Sequence, residues 1–566
     1  MNIVPFSEII QAVIFIAGLI SISPFLGSYL AKLMLGEQNI LTPVMRPVEK
    51  AIYKIAGIDP LVEMDWKSYT FSILSFSFFG IILLIMLQLA QSILPINPQK
   101  LSGVEWWLAF NTAVSFVTNT NWQSYSGETT LSYFVQMIGL TVQNFVSAAT
   151  GIAVLLAFTR GLTSRHGKSL GNFWVDLVRS TLYVLIPLSL ILALLLVSQG
   201  VVQSFSSYKE ITTLEGYKQI IPLGPAASQV AIKQLGTNGG GFFNANSAFP
   251  FENPTPLSNF LEMFSILLLP ASLVFTYGKL ISSKKQAWII FFVMLLIFFS
   301  GLTISVYSEY ATNNIFHTGG LMEGKETRFG ILNSVLWSTA TTAASNGSVI
   351  AIHSSLSPLS GLVAMFNIQL GEIIFGGVGS GLYGMLLFIL ITVFISGLMI
   401  GRTPEYLGKK IDAFEIKWAI VAILLPNTVI LLFSSLALTT QTGLSGLSSS
   451  GPHGLSEILY AFSSAAGNNG SAFAGLNTNN LFYNLLLSLG MLVGRFGVII
   501  PCLAIAGNLV KKNITPSSKG TLKTDTLLFA SLLIGVIFIV GALTFFPALS
   551  LGPLLEHLLM NNGVTF

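Results

Sequence analysis

Four short polar stretches interrupt an otherwise apolar chain, and they limit its fold more than any other feature. They read Thr118-Asn119-Thr120-Asn121, Thr237-Asn238-Gly239-Gly240, Ser345-Asn346-Gly347-Ser348 and Asn468-Asn469-Gly470-Ser471. Superposed, they follow one pattern: polar, Asn, Gly (Thr in the first copy), small. The central Asn recurs after 119, 108 and 123 residues. Each stretch follows a short, mostly apolar segment and precedes a long apolar one. The chain therefore reads as four copies of one unit.

The surroundings of these stretches are membrane-like. Only 9% of the 566 residues are charged and 52% are hydrophobic, against about 25% charged in soluble proteins. A hydrocarbon core of about 30 Å needs about 20 apolar residues in a helix. That rule predicts an all-α polytopic protein with ten spans, near 9–33, 69–93, 131–159, 174–198, 256–278, 286–307, 359–401, 416–438, 481–510 and 525–548. Short pore segments are expected at 105–117, 226–236, 331–344 and 454–466. The chain divides into an N-terminal span with a cytosolic loop (1–68), repeat 1 (69–160), repeat 2 (161–282), repeat 3 (283–402), repeat 4 (403–512) and a C-terminal span (513–566). The first span is no cleavable signal, because Glu8 and no Lys or Arg precedes an apolar run too long for one.

Non-helical backbone at membrane depth is tolerated only where protein buries it or where it lines a watery cavity. Gly allows the chain to turn its carbonyls toward an axis, and a ring of carbonyls can replace a cation's hydration shell. A single Asn-Gly would be an ordinary turn. Four in the same context read as a selectivity filter. The candidate ion-binding residues are Thr118, Asn119, Thr120, Thr237, Asn238, Gly239, Ser345, Asn346, Gly347, Asn468, Asn469 and Gly470.

The segment 359–401 is too long for one crossing, and its middle reads Phe375-Gly376-Gly377-Val378-Gly379-Ser380-Gly381. Gly costs about 1 kcal/mol relative to Ala inside a helix. The run predicts a broken helix in repeat 3, with a loop that blocks or diverts the ion path. Close helix packing through small residues is the alternative. Glu372 and Arg495 lie inside spans, where ionisable groups face a partner or an aqueous path. They and Gly376, Gly377, Gly379 and Gly381 are the candidate gate. Arg495 either pairs with a carboxylate or places a positive charge under the cavity; a structural ion pair is the plainer reading of both groups. Asp176 and Arg179 read as interfacial anchors.

Charge placement orients the chain. Of 27 Lys and Arg residues, 20 fall in segments on one side, among them Arg160, Arg179, Arg402, Lys409 and Lys519. Six fall on the pore-loop side: Lys100, Lys209, Lys218, Lys233, Lys325 and Arg328. Positive residues favour the cytoplasm, which puts the filters and both termini outside. The single Cys502 and five scattered His argue against disulfides, a cysteine metal cluster and haem. No phosphate loop or nucleotide fingerprint occurs, so any ATP chemistry belongs to another chain. Nothing points to a nucleic-acid partner.

Longer motifs resemble a known family. These are Asn119-Thr120-Asn121-Trp122-Gln123-Ser124-Tyr125, Gly236-Thr237-Asn238-Gly239-Gly240-Gly241-Phe242-Phe243-Asn244, Phe375 to Gly384, Gly401 to Lys410, and Asn468-Asn469-Gly470-Ser471-Ala472-Phe473. They are similar to the potassium-binding A subunit of the potassium-transporting P-type ATPase (KdpA). The resemblance implies the fold of the superfamily of potassium transporters and potassium as the ion. It places Gln123 beside the ion path. It implies a non-catalytic subunit in a bacterial or archaeal plasma membrane, partnered by an ATP-hydrolysing B subunit, a single-span C subunit and a small F peptide. Potassium would pass sideways from the filter to the B subunit, with the glycine-broken helix closing the direct route inward. A self-sufficient channel or ion-coupled transporter of the same superfamily is the nearest rival. A scaffold subunit of an electron-transfer complex is a more distant one.

Overall fold

The computed structural model describes residues 4–565 except 166, 312–319, 400, 402 and 517–521. Arg402, Lys519 and parts of the 308–330 loop and the 359–401 segment lie outside the described residues. Among the described residues ten helices are long and apolar enough to cross a membrane, so the chain is a multi-pass, mostly helical membrane protein. Among the described residues two small antiparallel hairpins, Lys209–Thr212 with Lys218–Ile221 and Glu405–Tyr406 with Lys409–Lys410, are the strand pairs.

Helix α1 (Phe6–Met34) runs through Pro24 and is followed by the short amphipathic α2 (Thr42–Ala56). The first repeat is α3 (Trp66–Leu89), a pore helix α4 (Trp106–Val117) and α5 (Val135–Thr163). The second is α6 (Phe173–Ser198), α7 (Ala226–Leu235) and α8 (Pro256–Leu280). The third is α9 (Lys284–Tyr310), α10 (Gly330–Ala343), α11 (Pro358–Gln369) and α12 (Ser380–Met399). The fourth is α13 (Ala413–Thr439), α14 (Gly451–Gly467) and α15 (Leu481–Leu509), and α16 (Leu527–Leu549) follows it.

Burial separates two rings of spans. In the most apolar stretch of each, α5, α8, α12 and α15 are 83%, 78%, 72% and 61% buried, whereas α3, α6, α9 and α13 are 22%, 44%, 44% and 33%. The second span of every repeat is thus an inner helix and the first an outer one. The inner helices also hold the polar residues a greasy chain must satisfy. On α5 these include Asn144 and Ser147, both buried. The extra helix α1 packs on α8, where Thr276 donates to Gly27 O at 3.2 Å.

The segment 359–401, expected to hold a broken helix, is two helices. Residues 370–379 between α11 and α12 are not helical. Helix α11, at 12 residues, reaches only about 18 Å at 1.5 Å per residue, too short to cross.

Several of the charges placed from the sequence are held in ion pairs. Lys233 and Lys325, counted among pore-loop-side charges, are buried in ion pairs with Glu252 and Glu309. Asp176 is no free anchor: it takes both Arg160 nitrogens, at 2.5 and 2.8 Å, and Tyr69 OH at 2.9 Å. Arg179 pairs with Glu49 at 2.9 Å. Both residues, read as interfacial anchors, are thus held by partners on other elements.

Candidate functional site

The four polar stretches begin where the four short helices end. Each pore helix therefore presents its C-terminus, with a partial negative charge of about half an electron, to the same region. In every copy a carbonyl inside the helix accepts the amide five residues on. Ser115 O accepts from Thr120 N at 2.9 Å, Lys233 O from Asn238 N at 2.9 Å, Thr341 O from Asn346 N at 3.1 Å and Ser464 O from Asn469 N at 2.8 Å. These bonds fix the structural register. Asn119, Thr237, Ser345 and Asn468 are equivalent, all at left-handed φ between 48° and 65°.

The register corrects the sequence alignment of the first copy by one residue. Thr120 corresponds to Asn238, Asn346 and Asn469, and Asn121 (φ 53°) corresponds to Gly239 and Gly470. Thr118 falls one place before the ring; its hydroxyl donates back to Val114 O at 2.9 Å. Two Asn occur in the first copy, and residue matching chose the wrong one. Left-handed backbone costs a non-Gly residue about 1–2 kcal/mol, and Thr237 is β-branched, which makes it an outlier. Strain repeated at four equivalent positions marks a functional site.

Side-chain amides stitch the four loops into a closed ring. Asn119 Nδ2 donates to Thr237 O at 2.9 Å and Asn121 Nδ2 to Gly239 O at 3.0 Å. Asn346 Nδ2 donates to Lys233 O at 3.0 Å. Ser345 Oγ donates to Asn468 O at 3.0 Å and Asn469 Nδ2 to Thr341 O at 3.1 Å. Asn468 Nδ2 donates to Thr120 Oγ1 at 3.0 Å and returns the ring to its start. The asparagines that drew attention in the sequence thus act as braces between the loops. Gly239 is required where it stands: its φ is +72°, and a Cβ there would lie 2.1 Å from Gly347 N.

On one side the ring opens into a vestibule of about 610 Å³, lined by Asn121, Gln123, Gly240, Gly347 and Gly470 among others. Gln123 is not free to follow an ion. Its Nε2 donates to Gly241 O at 3.0 Å and its Oε1 accepts from Gly241 N at 2.8 Å.

On the other side the 370–379 loop packs directly against the ring. Val378 N donates to Thr237 Oγ1 at 2.8 Å and Gly376 N to Ala343 O at 2.8 Å. A Cβ on Gly377 would lie 3.2 Å from Ser345 Cβ. Gly381 opens α12 and packs back on Phe375 and Gly376. The far end of the loop rests on α5: Gly379, at φ +86°, admits no Cβ because one would lie 2.1 Å from Gly151 O. Phe375 is wedged against Phe291 and Phe298 of α9. Glu372 and Phe375 hold left-handed φ of 52° and 66°, so the loop stores strain as well.

Beside the loop lies a cavity of about 80 Å³, bordered by Ser345, Glu372, Tyr383, Asn427, Asn468 and Arg495, reaching the seam of α12, α13 and α16. Glu372 is buried and its Oε1 has no hydrogen-bond partner. Arg495 Nη2 donates to Ser147 O at 2.9 Å. Among the described residues Arg495 and Glu372 form no direct ion pair, although both face this cavity. Arg495 therefore lines the cavity without pairing with Glu372. Sequence reading missed Ser147, Asn144 and Gln234, which brace the ring asparagines; polar residues in apolar helices at 144 and 147 were the available signal.

The sequence profile described as potassium-transporting ATPase A subunit (KdpA) matches residues 13–558. The chain belongs to that family. A relative from Leptospira interrogans serovar copenhageni, called potassium-transporting ATPase potassium-binding subunit, is 57% identical over 562 residues, covering 99% of this chain and 100% of the relative. The Pseudomonas aeruginosa PAO1 protein of the same name is 54% identical over 556 residues, covering 97% and 99%. The potassium transporter TrkH from Vibrio parahaemolyticus has the same fold, with a TM-score of 0.53 at 13% identity over 88% of this chain and 98% of that one.

Proposed function

We propose that this chain is the potassium-binding, membrane-embedded subunit of an ATP-driven potassium uptake complex. The observation that carries the reading is the strained, closed ring of four loops lying between an outer vestibule and a loop that crosses beneath it. Carbonyls of the ring, and the negative ends of four pore helices, replace water around a dehydrated potassium ion. The vestibule faces outside, as do both termini, in the plasma membrane of a bacterium or archaeon.

Below the ring the direct route is closed by residues 370–379. The ion leaves through the cavity beside Glu372 and Asn427, toward the seam of α12, α13 and α16, and is handed there to an ATP-hydrolysing B subunit. A single-span C subunit and a small F peptide complete the complex. This chain binds no nucleotide and carries no catalytic residue; its substrate is the ion.

The test is potassium-stimulated ATP hydrolysis by the complex purified through this chain. Stimulation is expected, with Gly239→Ala weakening apparent potassium affinity and relaxing discrimination against sodium and rubidium. Potassium flux through liposomes holding this chain alone would instead support a self-sufficient channel.

A further inference from the structure

The second repeat holds a buried charged cluster behind its filter loop where the other three hold a hydroxyl. The position concerned is the pore-helix residue whose carbonyl accepts the ring amide. In repeats 1, 3 and 4 it is Ser115, Thr341 and Ser464. Their hydroxyls also tie the outgoing side of each loop to its pore helix. Ser115 Oγ donates to Trp122 O at 2.9 Å, Thr341 Oγ1 to Ser348 O at 2.8 Å, and Ser464 Oγ accepts from Gly470 N at 2.9 Å.

In repeat 2 the same position is Lys233. Its carbonyl serves as its counterparts do: it accepts from Asn238 N at 2.9 Å, from Gly239 N at 3.1 Å and from Asn346 Nδ2 of the third loop at 3.0 Å. Its side chain runs to Glu252 and to Asn246 Oδ1, the latter at 3.0 Å. Lys233 and Glu252 are both 0% exposed. Glu252 in turn accepts Phe243 N on Oε1 at 2.8 Å. The tie from pore helix to outgoing strand, direct in three repeats, is restored here through an ion pair. The next residue, Gln234, extends the cluster. It donates to Glu262 at 2.9 Å and accepts from Ser348 Oγ at 2.9 Å.

We propose that Lys233 and Glu252 are positioning residues for ion selectivity: the buried pair sets the course of the second filter loop and its registry on the third. The inference rests on reading the ring as the potassium site. A ring discriminates among cations of similar charge by the number, spacing and stiffness of its oxygens. Lys233 O and Glu252 fix the amides on either side of Gly240, so slack in the pair becomes slack in the carbonyls between them. A hydroxyl tie is short and local. The ion pair reaches over 19 residues of sequence, so it also anchors the strand after the filter. Removing one charge would leave the other buried and unpaired, whereas replacing both by neutral groups of similar shape preserves packing.

The experiment uses the whole complex carrying Lys233→Met with Glu252→Gln, the Gln retaining an acceptor for Phe243 N. Potassium- and rubidium-stimulated ATP hydrolysis and thermal unfolding are measured together. The expected result is an assembled complex with full activity at saturating potassium, about tenfold weaker apparent potassium affinity, and a rubidium-to-potassium half-saturation ratio that falls toward one. Asn246→Ser, which removes one acceptor of Lys233 Nζ and leaves the pair, should shift the ratio part of the way and covers the case in which the double variant fails to assemble. A wild-type ratio in an assembled double variant, with or without lost thermal stability, overturns the inference. So does a wild-type ratio in Asn246→Ser if the double variant is lost. A wild-type complex indifferent to potassium would overturn the filter reading itself, and this inference with it.

Discussion

Asn468 Nδ2 donates to Thr120 Oγ1 at 3.0 Å across 348 residues of sequence. That bond joins the last loop of the ring to the first. The same amide donates to Met491 O at 3.0 Å on the inner helix α15, so one side chain holds the ring both to itself and to its scaffold.

Asn468→Asp removes the donor and sets a carboxylate oxygen against Met491 O and Thr120 Oγ1. An unsatisfied buried polar group costs about 1–3 kcal/mol, and 1.4 kcal/mol is tenfold in affinity. Apparent potassium affinity of the complex is expected to fall about tenfold or more, with assembly retained. Potassium titration of ATP hydrolysis measures it; an unchanged midpoint would detach Asn468 from the ion site.

How much of this was legible in the sequence depends on the length scale of the signal. Spans were legible because about 20 apolar residues in a row leave few alternatives. The break in repeat 3 was legible because Gly376, Gly377, Gly379 and Gly381 lie within six residues. The first filter's register was not. Thr118-Asn119-Thr120-Asn121 aligns on either Asn, and only the bond from Thr120 N to Ser115 O decides. Nor was the ion pair behind the filter legible. Lys233 read as a pore-side charge, because nothing local reveals that Glu252 folds back to bury it. Long-range pairing of this kind arises from the packing of four repeats, which no single window contains.

A second prediction concerns α2, outside the spans. Glu49 there accepts from Arg179 Nε at 2.9 Å, Tyr53 OH at 2.8 Å and Tyr183 OH at 2.7 Å. Burial raises its pKa, but the bonds from Arg179, Tyr183 and Tyr53 outweigh it and leave the carboxyl below the ordinary range. A pKa lower in the folded state gives stability that is present above the unfolded value and is lost as pH falls through the folded one. Glu49→Gln should therefore be less stable than wild type at pH 7, by on the order of 1 kcal/mol. The gap in thermal midpoint should close as pH falls below about 4. A gap independent of pH would show that the charge is not what matters.

Topology offers a third. Ser206 is exposed on the connection from α6 to α7, and Ser164 ends α5 on the side opposite the filters in the proposed orientation. With Cys502 replaced, Ser206→Cys should react with an impermeant thiol reagent on intact cells and Ser164→Cys should not. The reverse pattern would turn the protein over in the membrane.

The last concerns the loop beneath the ring. Gly379 rests on Gly151 at a distance no side chain permits, and Val378 N is bonded to Thr237 Oγ1 of the ring. The end of the loop that leads into α12 is therefore fixed to both an inner helix and the ring. A pump that concentrates an ion must not leak it back, so a barrier has to lie across the direct route, and a short loop with two discrete arrangements can supply one. Deleting Gly379 to Gly381 removes the contact with α5 and the start of α12 and pulls the loop off the axis. Potassium should then cross liposomes containing the complex without ATP, while uptake per ATP hydrolysed falls. Replacing Arg495 by Met probes the same barrier from the side. Losing the bond to Ser147 O and the charge under the ring should raise passive flux more than it lowers potassium affinity. If the deleted complex assembles, stays tight and pumps at the wild-type ratio, the glycines serve packing alone and the barrier must be sought elsewhere.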